Sequence, residues 1–252
     1  LIDPGMGAQK IKQALETANA KGIVSTGAGL KLIYRILVAP LRRIPNKYTC
    51  DSGLFVKHFD TLVRDPGGAP EVAPREKNDE CMITFTSGST GRPKGANRTH
   101  GLLRAQHEAL KEEYPPEDGQ VDMPCFPNVA IHNLCCGITT VLPAVDFAKP
   151  AEVEPKPIVE QMQRYGISSM TGAPAYMGRI ATYMIAKGIE NSSVKRTGVG
   201  GAPVSAELCD QLLKVFPGVE GYVIYGSTEA EPMTNVRLEE AREVREEGYL
   251  VG

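Results

Sequence analysis

The sequence has no tryptophan, few aromatic residues of any kind and no long apolar run. The longest apolar stretch, residues 30–41, contains Lys31 and Arg35 and is shorter than the roughly 20 residues that a membrane-spanning helix needs. We therefore expect no transmembrane segment, and no signal peptide is visible. An excess of positive charge is also missing, since 28 basic residues face 30 acidic ones. This balance argues against nucleic-acid partners and polybasic membrane surfaces.

Cysteine pairs of the C-x-x-C kind are absent as well, although six cysteines occur. Several of them fall in apolar runs, where free thiols are usually buried. Without paired spacing, the cysteines predict no metal site. The sequence therefore predicts buried, reduced thiols in a cytoplasmic protein, at Cys50, Cys81, Cys125, Cys135, Cys136 and Cys209.

Helical and strand-like patterns alternate along the chain, with connections rich in glycine and proline. This alternation is typical of parallel sheets with helices on both faces. We therefore predict an α/β fold of mostly parallel sheets flanked by helices. A loop over 65–79 divides it into subregions of about 1–75 and 76–252, and both chain ends are expected to be cuts through a larger protein. Strands are predicted at 23–24, 81–86, 167–170, 196–199 and 221–225, and helices at 8–20, at 99–113 and after Pro157, Pro174 and Ser205. Thr99 and Ser205 are predicted to cap their helices. The predicted inward faces are Ile11, Ala14, Leu15 and Ala18 on the first helix, and Leu102, Leu103, Ala109 and Leu110 on the helix 99–113.

Two features allow either a structural or a functional interpretation. An apolar stripe on the fourth predicted helix is typical of core packing, but part of it could line an apolar substrate pocket. That stripe comprises Tyr176, Ile180, Tyr183 and Met184. His132 is the second feature, because a lone histidine in a mixed apolar stretch is usually a packing residue yet can also be functional.

The stretch 86–95, TSGSTGRPKG, combines glycines, hydroxyl side chains and Lys94 directly after a predicted strand. Glycines let a backbone approach an anion closely, hydroxyls donate hydrogen bonds, and a lysine supplies a charge suited to phosphate. The position of Lys94 does not fit the Walker A pattern. A flexible polar linker is the alternative, but linkers rarely combine a preceding strand with such a lysine. The stretch therefore predicts a loop that cradles a polyphosphate.

Two later loops follow predicted strands and carry complementary chemistry. Residues 200–203, GGAP, allow a flat ring to approach the backbone closely, and residues 226–229, GSTE, offer a hydroxyl and a carboxylate that could hold a metal. Ligands in parallel α/β sheets bind beyond the carboxyl ends of the strands. We therefore expect these two loops and the loop 86–95 to meet at one site.

These three motifs, in this order, resemble those of the AMP-forming adenylating enzymes, which include acyl-CoA synthetases and luciferases. Residues 86–95 are similar to the family's T-S-G-[ST]-T-G-x-P-K-G loop, 225–229 to its Y-G-x-T-E signature and 200–203 to its adenine-side loop. The resemblance covers essentially the whole chain and implies the large N-terminal domain of that family. The family's downstream aspartate, hinge and small C-terminal domain with its lysine have no counterpart here, so the resemblance implies an inactive or impaired fragment.

The resemblance also implies a role for each matching residue. The adenine ring would pack on Gly201, Ala202 and Pro203, with Tyr225 and Gly226 nearby. The β- and γ-phosphates of ATP would contact Thr86, Ser87, Ser89, Thr90 and Lys94, with Gly88 and Gly91 permitting the loop shape. Thr228 would contact the α-phosphate, Glu229 would bind Mg²⁺, and His132 would lie beside the acyl pocket; Lys94, Thr228, Glu229 and His132 form the implied catalytic set.

The family implies that a carboxylate attacks ATP to give an acyl-adenylate and pyrophosphate. Within it, the runs DPGMG, FTSGSTGRPKGANRTHG and FPNVAIHNLCCG resemble the bacterial olefin-pathway β-lactone synthetases and long-chain acyl-CoA synthetases. The expected substrates are ATP and a long-chain or β-hydroxy fatty acid, with Mg²⁺ as cofactor and other pathway enzymes as possible partners. Lactone closure by the substrate's own hydroxyl is the expected second step. The alternatives are a CoA thioester, which needs CoA, or an inactive nucleotide-binding fragment.

Overall fold

The computed structural model describes residues 2, 7–27, 29–30, 43–51, 57–63, 71–86, 93–145, 152–227 and 230–243. The chain forms two compact units, Leu1–Leu103 and Arg104–Gly252. Each unit is described by itself below. Within the described residues, no helix combines the length and the apolar character needed to cross a membrane.

The first unit contains a small parallel sheet and an antiparallel hairpin. Helix α1, Ala8–Ala18, precedes strands β1, Gly22–Ser25, β2, Asn46–Thr49, and β3, Lys57–His58, which pair in that order. A short helix α2, Asp60–Val63, and strands β4, Glu80–Thr86, and β5, Lys94–Thr99, complete the unit.

Helix α1 forms because apolar residues recur at helical spacing on one of its faces. Ile11, Ala14 and Leu15 are buried, as the sequence predicts, and Ile11 and Leu15 belong to one apolar cluster with Ile44. Ala18, predicted for the same face, is exposed. The helix ends at Asn19, whose left-handed conformation is one that asparagine tolerates better than most residues.

The connection after β4 differs from the sequence prediction. We expected strand 81–86 to lead through the loop 86–95 into a helix, as in a parallel sheet. Instead β5 runs antiparallel to β4, with Thr86 opposite Lys94. The loop is therefore a hairpin connection, and it does not follow the carboxyl end of a parallel strand. The sequence of β5, KGANRT, has too few apolar residues to show strand alternation.

The helix that follows this hairpin, α3, spans His100–Glu113. Thr99 caps it as predicted, because the Thr99 hydroxyl accepts a hydrogen bond from the Leu102 amide at 3.2 Å. The predicted inward face is only partly correct. Leu102 and Ala109 are exposed, whereas Leu103 and Leu110 are partly buried, and no residue of α3 is fully buried.

The second unit is built on a six-stranded sheet. Its strands are β6, Val121–Pro124, β7, Thr139–Thr140, β8, Ser169–Gly172, β9, Arg196–Gly200, β10, Glu220–Ser227, and β11, Ala230–Arg237. They lie in the order β11-β10-β9-β8-β6-β7, and every pairing is parallel except that of β11 with β10. The sheet confirms the predicted α/β fold, whereas β6, β7 and β11 were not predicted. The sequence of β11, AEPMTNVR, shows no regular alternation.

Helices connect these strands and cover the sheet. They are α4, Pro127–Cys136, α5, Pro155–Tyr165, α6, Pro174–Lys187, α7, Ala206–Val215, and α8, Leu238–Ala241. Helices α5 and α6 end at glycines in the left-handed conformation, Gly166 and Gly188, where a residue without Cβ is favoured. Ser205 caps α7 as predicted, since its hydroxyl accepts a hydrogen bond from the Leu208 amide.

The core of the second unit is rich in methionine. Its largest fully buried side chains include Tyr176, Phe216, Met162, Met177 and Met184. The apolar stripe on α6 therefore supports the structural interpretation, because Tyr176, Ile180 and Met184 have no exposed surface. Only Tyr183 of that stripe is partly exposed.

The cysteine prediction is only partly correct. Cys125 and Cys209 are buried, and burial raises the pKa of both thiols. Cys50, Cys81 and Cys135 are exposed and Cys136 is partly buried. The exposed cysteines lie at strand ends and on the outer face of a helix, where a short apolar run in the sequence does not signify burial.

Candidate active site

The adenine-side loop and the end of β10 lie next to each other in the second unit. Strands β9 and β10 are parallel neighbours, and Gly200 pairs with Ile224. The stretch Gly201–Pro203 follows β9 at the same sheet edge where Tyr225 and Ser227 end β10. Two of the three predicted loops are thus adjacent at the carboxyl ends of parallel strands, which is where such sheets bind ligands.

Two glycines explain the shape of this edge. A Cβ on Gly200 would lie 2.4 Å from the Ile224 carbonyl oxygen, so no side chain fits between the strands there. Gly201 has φ +82°, a conformation that disfavours any residue with a Cβ. Ala202 and Pro203 follow as exposed residues, and Tyr225 is 48% exposed. The edge therefore presents a small, accessible surface of backbone and short side chains.

The phosphate loop is described only at its two ends. Thr86 and Lys94 lie directly opposite each other across the hairpin, and Lys94 is exposed. The residues between them that carry most of the predicted contacts, Ser87, Gly88, Ser89, Thr90 and Gly91, lie outside the described residues. Thr228 and Glu229 do so as well, so the predicted α-phosphate and Mg²⁺ contacts stay predictions.

Sequence reasoning missed one anchor next to the Y-G-x-T-E signature. Glu231, two residues after Glu229, accepts a hydrogen bond from the Asn128 side-chain amide at 3.1 Å. Its backbone carbonyl accepts another from the Gln106 side chain at 2.7 Å. These bonds hold the start of β11 against α3 and α4. The residues that make them give no sequence signal, because single polar residues in helices are common.

A cavity of about 100 Å³ lies in the second unit, against the face of the sheet. It is bordered by α3, α4 and strands β6, β8, β9 and β10, and its lining is mostly apolar. The cavity is smaller than the roughly 300–1,000 Å³ typical of small-molecule pockets. Its apolar wall includes Leu110, Val129, Ile138, Met170 and Ile224. The predicted stripe on α6 contributes nothing to this lining.

A buried carboxylate forms part of the cavity wall. Asp122 on β6 accepts hydrogen bonds from the Asn133 side-chain amide at 2.7 Å and from the Ser169 hydroxyl at 2.5 Å. Gln120 donates to the same Ser169 hydroxyl at 2.9 Å. Burial raises the pKa of Asp122, and the two side-chain hydrogen bonds oppose that rise only in part. A lone acidic residue in the strand VDMP could have drawn attention in the sequence.

The amino ends of β9 and β10 close the cavity with charged and aromatic side chains. Arg196 forms ion pairs with Glu117 at 2.8 Å and with Glu220 at 3.4 Å. The hydroxyl of Tyr222 donates to Glu220 at 2.7 Å, and the Tyr114 ring meets the Tyr222 ring edge-on. Desolvation raises the pKa of Tyr114. These groups lie at the opposite ends of the strands from Gly201 and Tyr225.

His132 lies on α4 and lines this cavity. Its Nδ1 atom is 3.0 Å from Nδ1 of His107 on α3. Burial, His107 and Lys111 together lower the pKa of His132, which favours the neutral imidazole near pH 7. The structure therefore places His132 at a mostly apolar cavity, and its place beside an acyl pocket stays a prediction.

Comparison with known proteins identifies the family. The sequence model for the family described as AMP-binding enzyme matches residues 1–251. The chain belongs to this family. Among the curated relatives of this chain, an olefin β-lactone synthetase from Xanthomonas campestris pv. campestris is 30% identical over 94% of the chain and 42% of the relative. A feruloyl-CoA synthase from an Amycolatopsis species is 26% identical over 90% of the chain and 43% of the relative.

Solved structures resemble the fold of this chain. A luciferase-like enzyme from the nonluminescent Zophobas morio mealworm superimposes with a TM-score of 0.77 over 95% of this chain and 56% of that one, at 19% identity. The chain spans less than half the length of the two curated relatives named above.

Proposed function

We propose that this protein activates a carboxylic acid with ATP. The observation that carries the proposal is the family match over residues 1–251, together with the three motifs in family order. In the reaction, a carboxylate oxygen attacks the α-phosphorus of ATP. The bond between the α-phosphorus and the bridging oxygen breaks, and pyrophosphate leaves with the electron pair. The product is an acyl-adenylate.

The proposed nucleotide site has a phosphate part and an adenine part. Lys94 and the hydroxyls of the loop 86–95 bind the β- and γ-phosphates. Gly201–Pro203 and Tyr225 pack against adenine, a role supported by the exposed backbone at this sheet edge. Thr228 contacts the α-phosphate and Glu229 binds Mg²⁺. When bound, Mg²⁺ offsets negative charge on the phosphates.

The proposed acyl site is the cavity bordered by α3, α4 and the sheet. Its mostly apolar lining suits a hydrocarbon chain, and His132 lies at its wall. Its volume of about 100 Å³ accommodates a short segment of chain, so a long-chain acid requires the cavity to widen.

Lactone closure is the proposed second step. The β-hydroxyl oxygen of the substrate attacks its own acyl carbon, the bond from that carbon to the AMP oxygen breaks, and the hydroxyl proton passes to solvent. The 30% identity to an olefin β-lactone synthetase supports this outcome. The feruloyl-CoA synthase relative supports the alternative, in which the CoA thiol attacks the same carbon.

The first experiment measures pyrophosphate release by the full-length gene product with ATP, Mg²⁺ and a panel of fatty and 3-hydroxy fatty acids of increasing length. We expect release that depends on the acid. AMP formation from a 3-hydroxy acid without CoA supports lactone closure, whereas an absolute requirement for CoA refutes it. No acid-dependent pyrophosphate from any acid would refute the adenylation proposal itself and favour an inactive nucleotide-binding protein.

The second experiment tests the phosphate loop. Lys94→Ala removes an exposed charge and should slow pyrophosphate release by at least tenfold, because phosphate charge is no longer offset. Lys187→Ala, at the exposed end of α6, is the matched control and should release pyrophosphate at the wild-type rate. Equal rates for the two variants would contradict the assigned role of Lys94.

A further inference from the structure

His107, His132 and Cys136 form a cluster of potential metal ligands beside the cavity. One ligand atom from each residue lies within 4.8 Å of the other two. Nδ1 of His132 is 3.0 Å from Nδ1 of His107, and Nε2 of His132 is 3.5 Å from Sγ of Cys136. We propose that these three side chains bind a divalent transition-metal ion such as Zn²⁺.

The two helices supply the ligands in a suitable arrangement. His132 and Cys136 are four residues apart on α4, so they lie on the same helix face. Two ligands at this spacing are a common way for a helix to hold zinc. His107 comes from α3, and its ring centroid is 4.8 Å from that of His132. The cluster therefore combines one ligand from α3 with two from α4.

The distances are close to those of a tetrahedral zinc site. Zinc lies about 2.0–2.1 Å from nitrogen and about 2.3 Å from sulfur, so tetrahedral ligands are separated by about 3.4 Å between nitrogens and about 3.6 Å between nitrogen and sulfur. The 3.0 Å and 3.5 Å contacts use different ring nitrogens of His132, and only one nitrogen can bind the ion. The longest separation in the cluster, 4.8 Å, must therefore shorten by about 1.2–1.4 Å, which side-chain rotations supply. All three residues are partly buried, so a bound ion would be partly shielded from solvent.

The chemistry of the donors selects the metal class. Two imidazoles and a thiolate favour zinc or another borderline to soft ion, whereas magnesium and calcium prefer oxygen ligands. Binding converts the Cys136 thiol to a thiolate and releases one proton to solvent for each metal ion bound. Three protein ligands leave a fourth position for water or another oxygen ligand. This ligand set differs in chemistry from Glu229, the carboxylate that is proposed to bind Mg²⁺.

The charged side chains beside the cluster form an ion pair. Lys111 and Glu108 on α3 form an ion pair at 3.7 Å, so their charges largely offset each other near the cluster. Cys135 is adjacent in sequence to Cys136 but is exposed. It is not one of the three clustered residues and provides a matched control, because the same substitution can be made at either cysteine.

The test is a titration of the metal-free full-length protein with Co²⁺, followed by its electronic absorption spectrum under reducing conditions. We expect a thiolate-to-cobalt charge-transfer band and the strong visible bands of a tetrahedral ion, both lost when Zn²⁺ displaces Co²⁺. One proton should be released per ion. Cys136→Ser should abolish the charge-transfer band, and Cys135→Ser should leave it unchanged.

His107→Gln provides a second variant with a similar side-chain size. It should weaken Co²⁺ affinity by more than the roughly 10–100-fold that loss of an outer-shell partner costs. Circular dichroism of each variant verifies that it is folded. The proposal is overturned if wild type shows no charge-transfer band, or if both cysteine variants lose it equally. The first outcome would mean that the cluster is only hydrogen-bonded, with His132 between the Cys136 thiol and His107.

Discussion

Gly200 is the position where a single methyl group should disturb the candidate site most directly. A Cβ there would lie 2.4 Å from the Ile224 carbonyl oxygen and 3.3 Å from its carbonyl carbon. The clash is with backbone, so no side-chain rotation relieves it, and β9 and β10 must separate locally by at least about 0.6 Å. We expect Gly200→Ala to lower the free energy of unfolding by about 1–3 kcal/mol, the typical cost of overpacking.

Gly178→Ala is the matched control on α6. Its Cβ would lie 3.7 Å from Cδ1 of Leu208, which is ordinary contact. Alanine in a helix interior is about 0.8–1.0 kcal/mol more favourable than glycine, so this variant should be stabilised. Urea unfolding followed by far-UV circular dichroism measures both variants, and the two should differ by about 2–4 kcal/mol. A Gly200→Ala variant as stable as wild type would refute the close approach of β9 and β10.

Two further predictions concern stability. Ser205→Ala removes the hydroxyl that accepts from the Leu208 amide, and we expect a loss of about 1 kcal/mol in urea unfolding; an unchanged midpoint would contradict the cap. Burial raises the pKa of Asp122 in the folded state, so its contribution to stability is greatest at low pH and declines as pH rises from the unfolded value through the raised folded value. Asp122→Asn should remove this decline of stability with rising pH, whereas Asp118→Asn, which replaces an exposed carboxylate, should retain it. Identical pH profiles of unfolding free energy for the two variants would contradict the buried carboxylate.

In the second unit, helices α5, α6 and α7 and strands β8, β9 and β10 were predictable because these elements carry strong local signals. Helix α7 combines a serine cap with buried residues at helical spacing, Leu208 and Leu212. Proline begins α6 and glycine ends it, and each restricts the backbone in the way its position requires. Such signals depend on short-range geometry, which a single sequence records directly.

Strands β5 and β11 were not predictable in the same way. Each pairs antiparallel with the strand just before it, but their sequences lack the regular alternation of apolar and polar residues that indicates a strand. The same limit applies to α3, whose apolar residues suggest a core-facing helix but stay partly exposed. Exposure is set by what packs against an element, and periodicity alone does not report that.

The site was predictable where the motif itself carries the chemistry. The adjacency of Gly201–Pro203 and Tyr225 follows from parallel strands that end at one sheet edge. The network around Asp122 and the anchor at Glu231 could not be deduced, because each depends on residues far apart in the sequence. The contact between His107 and His132 is of the same kind, since 25 positions separate the two histidines.

The most direct test of adenylation follows one oxygen atom. The full-length gene product is supplied with ATP and a carboxylic acid labelled with ¹⁸O in its carboxylate. If the carboxylate attacks the α-phosphorus, cleavage of the acyl–oxygen bond in the second step leaves one labelled oxygen in the phosphate of AMP. We predict AMP that carries one ¹⁸O atom per turnover. Label in inorganic phosphate together with unlabelled ADP would show attack at the γ-phosphorus and would contradict the proposed function.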